Sequence, residues 1–197
     1  MQIKEHFIRA AFILVSLLAV FHFPACAESG KSLRPDHWAV PMEISGLPNF
    51  HQVTAELYRG AQPTEAGFRE LKKMGVRTVV NLRSLHSDKD EIGSTELEYE
   101  YIPMKAWHPE EEDIVRFLRI VTDKNRKPVF VHCQHGADHT GTVCAIYRIA
   151  VCGWTKEEAI SEMTQGGFGF HKIWMNLVRF IRDINIHEIK RKSDIRN

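Results

Sequence analysis

The chain has 197 residues, of which 44% are hydrophobic, 10% aromatic and 26% charged; this is the size and make-up of one folded domain and excludes a disordered segment. Lys plus Arg (26) nearly equals Asp plus Glu (25), for a formal charge of +1, so no nucleic-acid partner and no acidic tail are expected. Ordinary Gly (12) and Pro (8) contents and the lack of an internal repeat exclude collagen-like, low-complexity and solenoid architectures.

Residues 1–27 read as an export signal. Lys4 and Arg9 give a weakly positive start, and Ala10 to Phe23 is apolar apart from Ser16 and His22. That stretch is short for a membrane span, which needs about 20 apolar residues. Ala25-Cys26-Ala27 supplies a small-x-small cleavage pattern, with Glu28 as the new N-terminus. The expected location is periplasmic or secreted, with no stable membrane insertion after cleavage; an uncleaved leader would make the protein membrane-anchored. A lipid anchor on Cys26 fits poorly, because Phe23-Pro24-Ala25 is a weak match to a lipobox. Cleavage removes Lys4, Arg9, Glu5 and Cys26, and leaves a chain of zero formal net charge with Cys133, Cys144 and Cys152. An odd cysteine count leaves at least one thiol unpaired. Cys144 and Cys152 fall on one expected helix about 12 Å apart, too far for a disulfide. Free thiols are unusual in an exported protein and suggest that one is kept for chemistry.

Residues 28–54, with Pro35, Pro41 and Pro48, read as an extended lead-in. Leu57-Tyr58-Arg59 is a short strand ending at Gly60. Thr64 caps a helix over 65–74, stopped by Gly75. Val76 to Leu82 is a buried strand by composition, residues 84–97 a polar loop with a helical turn, and Tyr99 to Met104 a second strand. Pro109 opens a helix with Glu110, Glu111, Glu112 and Asp113 in its first turn, and Ile114, Phe117, Leu118 and Val121 form its apolar stripe. Pro128 to His132 is a core strand, 133–139 a glycine-containing loop, and Thr140 to Cys152 an apolar helix stopped by Gly153. Thr155-Lys156-Glu157-Glu158 is a capping box. After the Gly166, Gly167 and Gly169 cluster a last helix runs from about Lys172 towards Ile189, before a charged tail over 190–197. Alternating strands and helices predict a single α/β domain over 55–189 with a central, mostly parallel sheet flanked by helices.

The chemistry concentrates in Val129-Phe130-Val131-His132-Cys133-Gln134-His135-Gly136-Ala137-Asp138-His139-Thr140-Gly141. A strand–loop–helix joint aims backbone N–H groups and the positive helix end at one point, at the strand end where open α/β sheets bind ligands. Such a cradle suits a phosphate and lowers the pKa of a central Cys133. A thiolate under a phosphate cradle is a nucleophile for phosphoryl transfer.

This segment resembles the His-Cys-x5-Arg-[Ser/Thr] signature of the cysteine-dependent protein tyrosine phosphatases, especially the compact dual-specificity branch. His132, Cys133, Gly136, Thr140 and Gly141 match at their positions, and Leu57 to Pro63 and Thr78 to Arg83 resemble further family segments. The resemblance spans about residues 55–185. It implies phosphomonoester hydrolysis through a phosphocysteine intermediate, without metal or cofactor. Cys133 would attack phosphorus, and the Thr140 hydroxyl would ease departure of the thiolate. His132 would order the loop, Gly136 and Gly141 would allow its tight wrap, and the amides of Gln134, His135, Gly136, Ala137, Asp138 and His139 would bind phosphate oxygens.

One departure stands at the family's arginine, which is His139 here. Imidazole is shorter, offers no parallel pair of donors and is only partly charged near neutrality. Losing one preorganised transition-state donor costs about 10²–10³ in rate. The sequence therefore predicts an impaired enzyme, with residual activity skewed to low pH, or a phosphate-binding pseudophosphatase. The family pattern places an acidic residue about thirty positions before Cys133, at Ile102–Met104, where no Asp stands. Asp138, directly before His139, is the better general-acid candidate, with Asp113 and Glu112 as second choices. The expected partner is a phosphorylated protein or small phosphomonoester, phosphotyrosine by default, with inositol phosphates or phosphoinositides as the alternative. Arg83 and Lys172 are candidate substrate contacts, against surface ion-pair and helix-start readings, and His171 shares the second of these. Zinc on His132, Cys133, His135 and His139 is disfavoured, since a loop that wraps one point with its backbone splays its side chains outward.

Overall fold

The computed structural model describes residues 34–195. The expected leader, the first residues of the lead-in and the last two residues of the tail lie outside the described residues.

A mixed six-stranded sheet organises the domain, with strand order β1-β2-β3-β6-β4-β5. The strands are β1 (Val40–Pro41), β2 (His51–Thr54), β3 (Leu57–Gly60), β4 (Thr78–Asn81), β5 (Glu98–Tyr101) and β6 (Val129–His132). From β3 to β5 all pairings are parallel, while β1 and β2 add on antiparallel. The central parallel sheet is as expected; the antiparallel edge is new. Its strands arise within the expected lead-in because Ala55 and Glu56 form a tight turn that folds His51–Thr54 back onto Leu57–Gly60. Inward Val53 and Leu57 then join the core.

Side-chain alternation along β6 sends Val129 and Val131 to one face and Phe130 to the other. On the first face they meet α3 (Glu111–Thr122), α4 (Asp138–Ala150), α5 (Lys156–Gln165), α6 (Met175–Asp183) and α7 (Ile186–Lys192). On the second, Phe130 packs with Phe68 and Leu71 of α1 (Glu65–Lys73) and Ile92 of α2 (Lys89–Ile92). The expected caps form: Thr64 accepts from the Gly67 N–H, and Thr155 and Glu158 close a capping box. The single last helix expected from Lys172 is instead a 3₁₀ turn over Lys172–Trp174 followed by two α-helices. The break falls where Ile184 turns extended (ψ 135°) and the Asn185 side chain accepts from the Glu188 N–H, starting a new helix.

Candidate active site

Strand β6 delivers Cys133 to the carboxyl end of the sheet, between β3 and β4. Residues 133–137 then wrap into α4. The outer side of this loop is fully engaged. The Cys133 carbonyl accepts from His132 Nδ1 (3.3 Å), the Gln134 carbonyl from the Gln62 N–H (3.3 Å), the His135 carbonyl from Asn49 Nδ2 (2.8 Å) and the Gly136 carbonyl from Arg59 Nη2 (2.6 Å). With successive carbonyls engaged, the N–H groups are the backbone groups of the loop left open. Among the described residues no backbone carbonyl accepts from the N–H groups of 134–137. Open N–H groups at a helix start are what an anion site requires.

Gly136 is required by two features. Its φ is +70°, and a Cβ on it would stand 2.5 Å from the Gly60 carbonyl carbon and oxygen. Gly141 faces Met163, whose Cγ would lie 2.8 Å from an added Cβ.

At the centre Cys133 is 4% exposed. Burial alone would push its thiol up, but the His139 side chain and the Thr140 hydroxyl and N–H interact with the sulfur and bring its pKa down to about 6. The Thr140 hydroxyl and His139 Nε2, both buried, have no other protein partner. Two buried polar groups thus converge on one point with hydrogen-bonding capacity to spare. His139 stands in the first turn of α4, where the family's arginine is expected.

His132 is completely buried, stacks on Phe130 (5.5 Å between centroids) and bonds Asp88 Oδ2 through Nε2 (2.8 Å). Burial opposes the Asp88 charge, but His132, Gln62 and His86 outweigh it and hold its carboxyl below the usual range. Asp88 was not foreseen, and neither was Arg59, which lies buried under the loop with its guanidinium 3.7 Å from the Phe168 ring centre. The one sequence signal for Arg59 is a charged residue inside a strand that is otherwise buried. Asp88 has only an acidic side chain in a loop, and its partner lies 44 positions away.

Asp138 has both carboxylate oxygens engaged by one residue: Oδ1 accepts from the His171 N–H (2.9 Å) and Oδ2 from His171 Nδ1 (2.8 Å). His171 is half-exposed and meets the His135 ring edge-on at 5.5 Å. Gln134 and His135 point to solvent, and Ala137 is buried. Arg83 donates to Gln62 Oε1 (2.8 Å) rather than forming an ion pair. Lys172 is exposed at the 3₁₀ turn. Asp113 lines a cleft of about 430 Å³ together with Ser84, Leu85, Pro103, Lys105, Trp107 and Glu110. Burial and the neighbouring Glu110 and Glu112 raise its carboxyl pKa. Cys133, Cys144 and Cys152 are free thiols, and burial pushes Cys144 up to about 11, so it is inert beside Cys133.

A mixed α/β sheet with a buried cysteine at a strand–loop–helix joint is the arrangement expected of the compact dual-specificity phosphatases. The family model described as "DSP-PTPase phosphatase fused to NAD+ Kinase" matches residues 42–175, and the chain belongs to this dual-specificity-type phosphatase family. It is 28% identical over 181 residues to the dual specificity protein phosphatase TpbA of Pseudomonas aeruginosa, covering 90% of this chain and 82% of that protein. The crystal structure of P. aeruginosa TpbA in complex with pTyr superimposes with a TM-score of 0.73 at 27% identity, over 82% of this chain and 98% of the other. The inositol diphosphatase DSP5 of Arabidopsis thaliana is 24% identical over 154 residues, covering 73% of this chain and 72% of that protein. Among the described residues no helix is long and apolar enough to cross a membrane.

Proposed function

We propose that this chain is an exported phosphomonoesterase that works through Cys133. The amide nest of residues 134–139 binds the phosphoryl oxygens. The thiolate attacks phosphorus, so the Sγ–P bond forms as the P–O ester bond breaks, and the leaving oxygen takes a proton. Water then attacks phosphorus, so a P–O bond forms as the Sγ–P bond breaks, the water proton passes to the group that protonated the leaving oxygen, and the thiolate departs towards the Thr140 hydroxyl. The convergence of His139 and Thr140 on the buried Cys133 sulfur at a helix start, which brings its pKa down to about 6, carries this reading.

The proton comes from the Asp138–His171 pair. Because Asp138 accepts twice from His171, the imidazole is the carrier and the carboxylate holds it in place. Asp113, raised by burial and like charge, is the second candidate. The two separate by leaving group: removing the true donor, by His171→Gln for the pair or Asp113→Asn for the alternative, slows an alkyl phosphate far more than a nitrophenyl phosphate, whose oxygen needs no proton.

Phosphotyrosine is the default substrate, in line with the pTyr complex of TpbA. Inositol phosphates are the alternative, favoured by the inositol diphosphatase among the relatives. A non-catalytic phosphate-binding module is the reading favoured by His139 in the place of arginine. Aryl phosphate hydrolysis by the chain, its Cys133→Ser form and its His139→Arg form decides. We expect Cys133→Ser to abolish turnover and His139→Arg to raise it about 10²–10³-fold. No loss in the first and no gain in the second would remove hydrolysis at this loop. Retained phosphopeptide affinity with no turnover by any form would establish the binding module.

A further inference from the structure

Beside the cradle, in the loop and short turn that follow β4, three metal-ligating side chains meet. His86 Nε2 lies 3.4 Å from Asp88 Oδ1 and 3.3 Å from Glu91 Oε1, and the three donor atoms all fall within 4.8 Å of one another. Both separations exceed the usual hydrogen-bond range, and His86 Nε2 is buried without a hydrogen-bond partner. They match instead the edge of a tetrahedron with metal–ligand bonds of about 2.0–2.1 Å, which is about 3.3–3.4 Å.

One of the three, Asp88, is also held from behind, as ligands of built metal sites are. Asp88 Oδ1 accepts from Gln62 Nε2 (2.8 Å), and Oδ2 bonds His132 Nε2 (2.8 Å). The backbone is pinned as well. The His86 carbonyl accepts from Asn81 Nδ2 (3.0 Å), and the Asp88 N–H donates to the Tyr99 hydroxyl (3.2 Å). Asp88 is wholly buried, while the side chains of His86 and Glu91 are 29% and 31% exposed, so the cluster lies at the edge of the fold.

We propose that His86, Asp88 and Glu91 bind one divalent cation of the zinc class. One imidazole and two carboxylates supply two negative charges to a dication. An imidazole ligand selects zinc-like ions over magnesium, which prefers oxygen ligands in an octahedron. The site lies outside the phosphate cradle and one carboxylate away from His132, and it does not depend on whether the enzyme turns over.

The test is a calorimetric titration of zinc into the chelator-treated full chain carrying Cys133→Ser, so that the nucleophile cannot supply a ligand. The expected result is one zinc per chain, unaffected by an equal concentration of magnesium, and a melting temperature raised by zinc. His86→Gln should abolish both effects, and Glu91→Gln should weaken binding at least about tenfold. Both side chains are partly exposed, and the melting temperature without zinc reports whether each variant is folded. Absence of stoichiometric binding would overturn the proposal and leave His86 as a side chain packed between two carboxylates. Unchanged binding in the double variant His86→Gln/Glu91→Gln would also overturn it, placing the ion elsewhere, as would displacement by magnesium.

Discussion

The two ends of helix α4 treat buried polar groups in opposite ways. At its C-terminal half Arg148, 4% exposed, donates to both carboxylate oxygens of Glu162 (2.8 and 3.0 Å) and lies over the Trp154 ring at 4.2 Å. Glu162 also accepts from the Ala39 N–H (2.6 Å), and the His37 carbonyl accepts from Arg148. At its N-terminal end, Thr140 Oγ1, His139 Nε2 and the nearby Arg59 Nε have no conventional partner. A closed network of this kind ties segments together: here the lead-in is fastened to α4 and α5. A set of buried donors left open has a cost in stability that only a ligand or a reacting group offsets. The contrast separates scaffold from site on one helix.

Breaking the closed network should give the largest change. Glu162→Ala leaves the Arg148 guanidinium buried and unpaired and is expected to destabilise the fold by about 3–5 kcal/mol, read by urea denaturation. An effect on turnover without that loss of stability would place Glu162 in the site. At the open end the same helix should tolerate change in stability but not in rate, as the His139→Arg comparison tests. Gly136→Ala belongs between the two. Its Cβ would collide with the Gly60 backbone in a left-handed conformation, at a cost of about 1–3 kcal/mol, and phosphate binding should be lost with it. A Gly136→Ala form that binds phosphate normally would show that the nest does not need this turn.

The smallest effect sharpens the comparison most. With a Cys133 pKa of about 6, alkylation by iodoacetamide should rise as pH increases through 6 and level off above it. Below that value the thiol is protonated and slow. His139→Leu removes a donor to the sulfur, so the inflection should move up towards the ordinary cysteine range near 8.5. An unmoved inflection would show that the amides and Thr140 alone hold the thiolate.

Much of the fold was legible because its signals are local. The run Val129-Phe130-Val131, the caps at Thr64 and Thr155 and the stop at Gly75 each announce themselves within a few residues. So does the cradle: a strand, a cysteine, glycines and a helix start in one stretch. What stayed hidden is long-range. His51 and Gln52 carry no strand signal, and they pair only because a turn presents β3. Arg59 is recognisable as a loop support only once β3 lies beside β6. Asp138 was legible as a candidate acid, but His171 as its partner, 33 positions on, was not. The split of the last helix shows a subtler case, for Asn185 is a readable N-cap set inside an apolar periodicity that runs across it.

The supports of the nest have a consequence for how the protein comes into being. Asn49, Arg59 and Gln62 grip a loop that lies 72 or more positions downstream, since the nearest pair is Gln62 with Gln134. The wrap of the loop is therefore complete only when the early hairpin has packed against it, so the site depends on contacts between the first and last thirds of the chain.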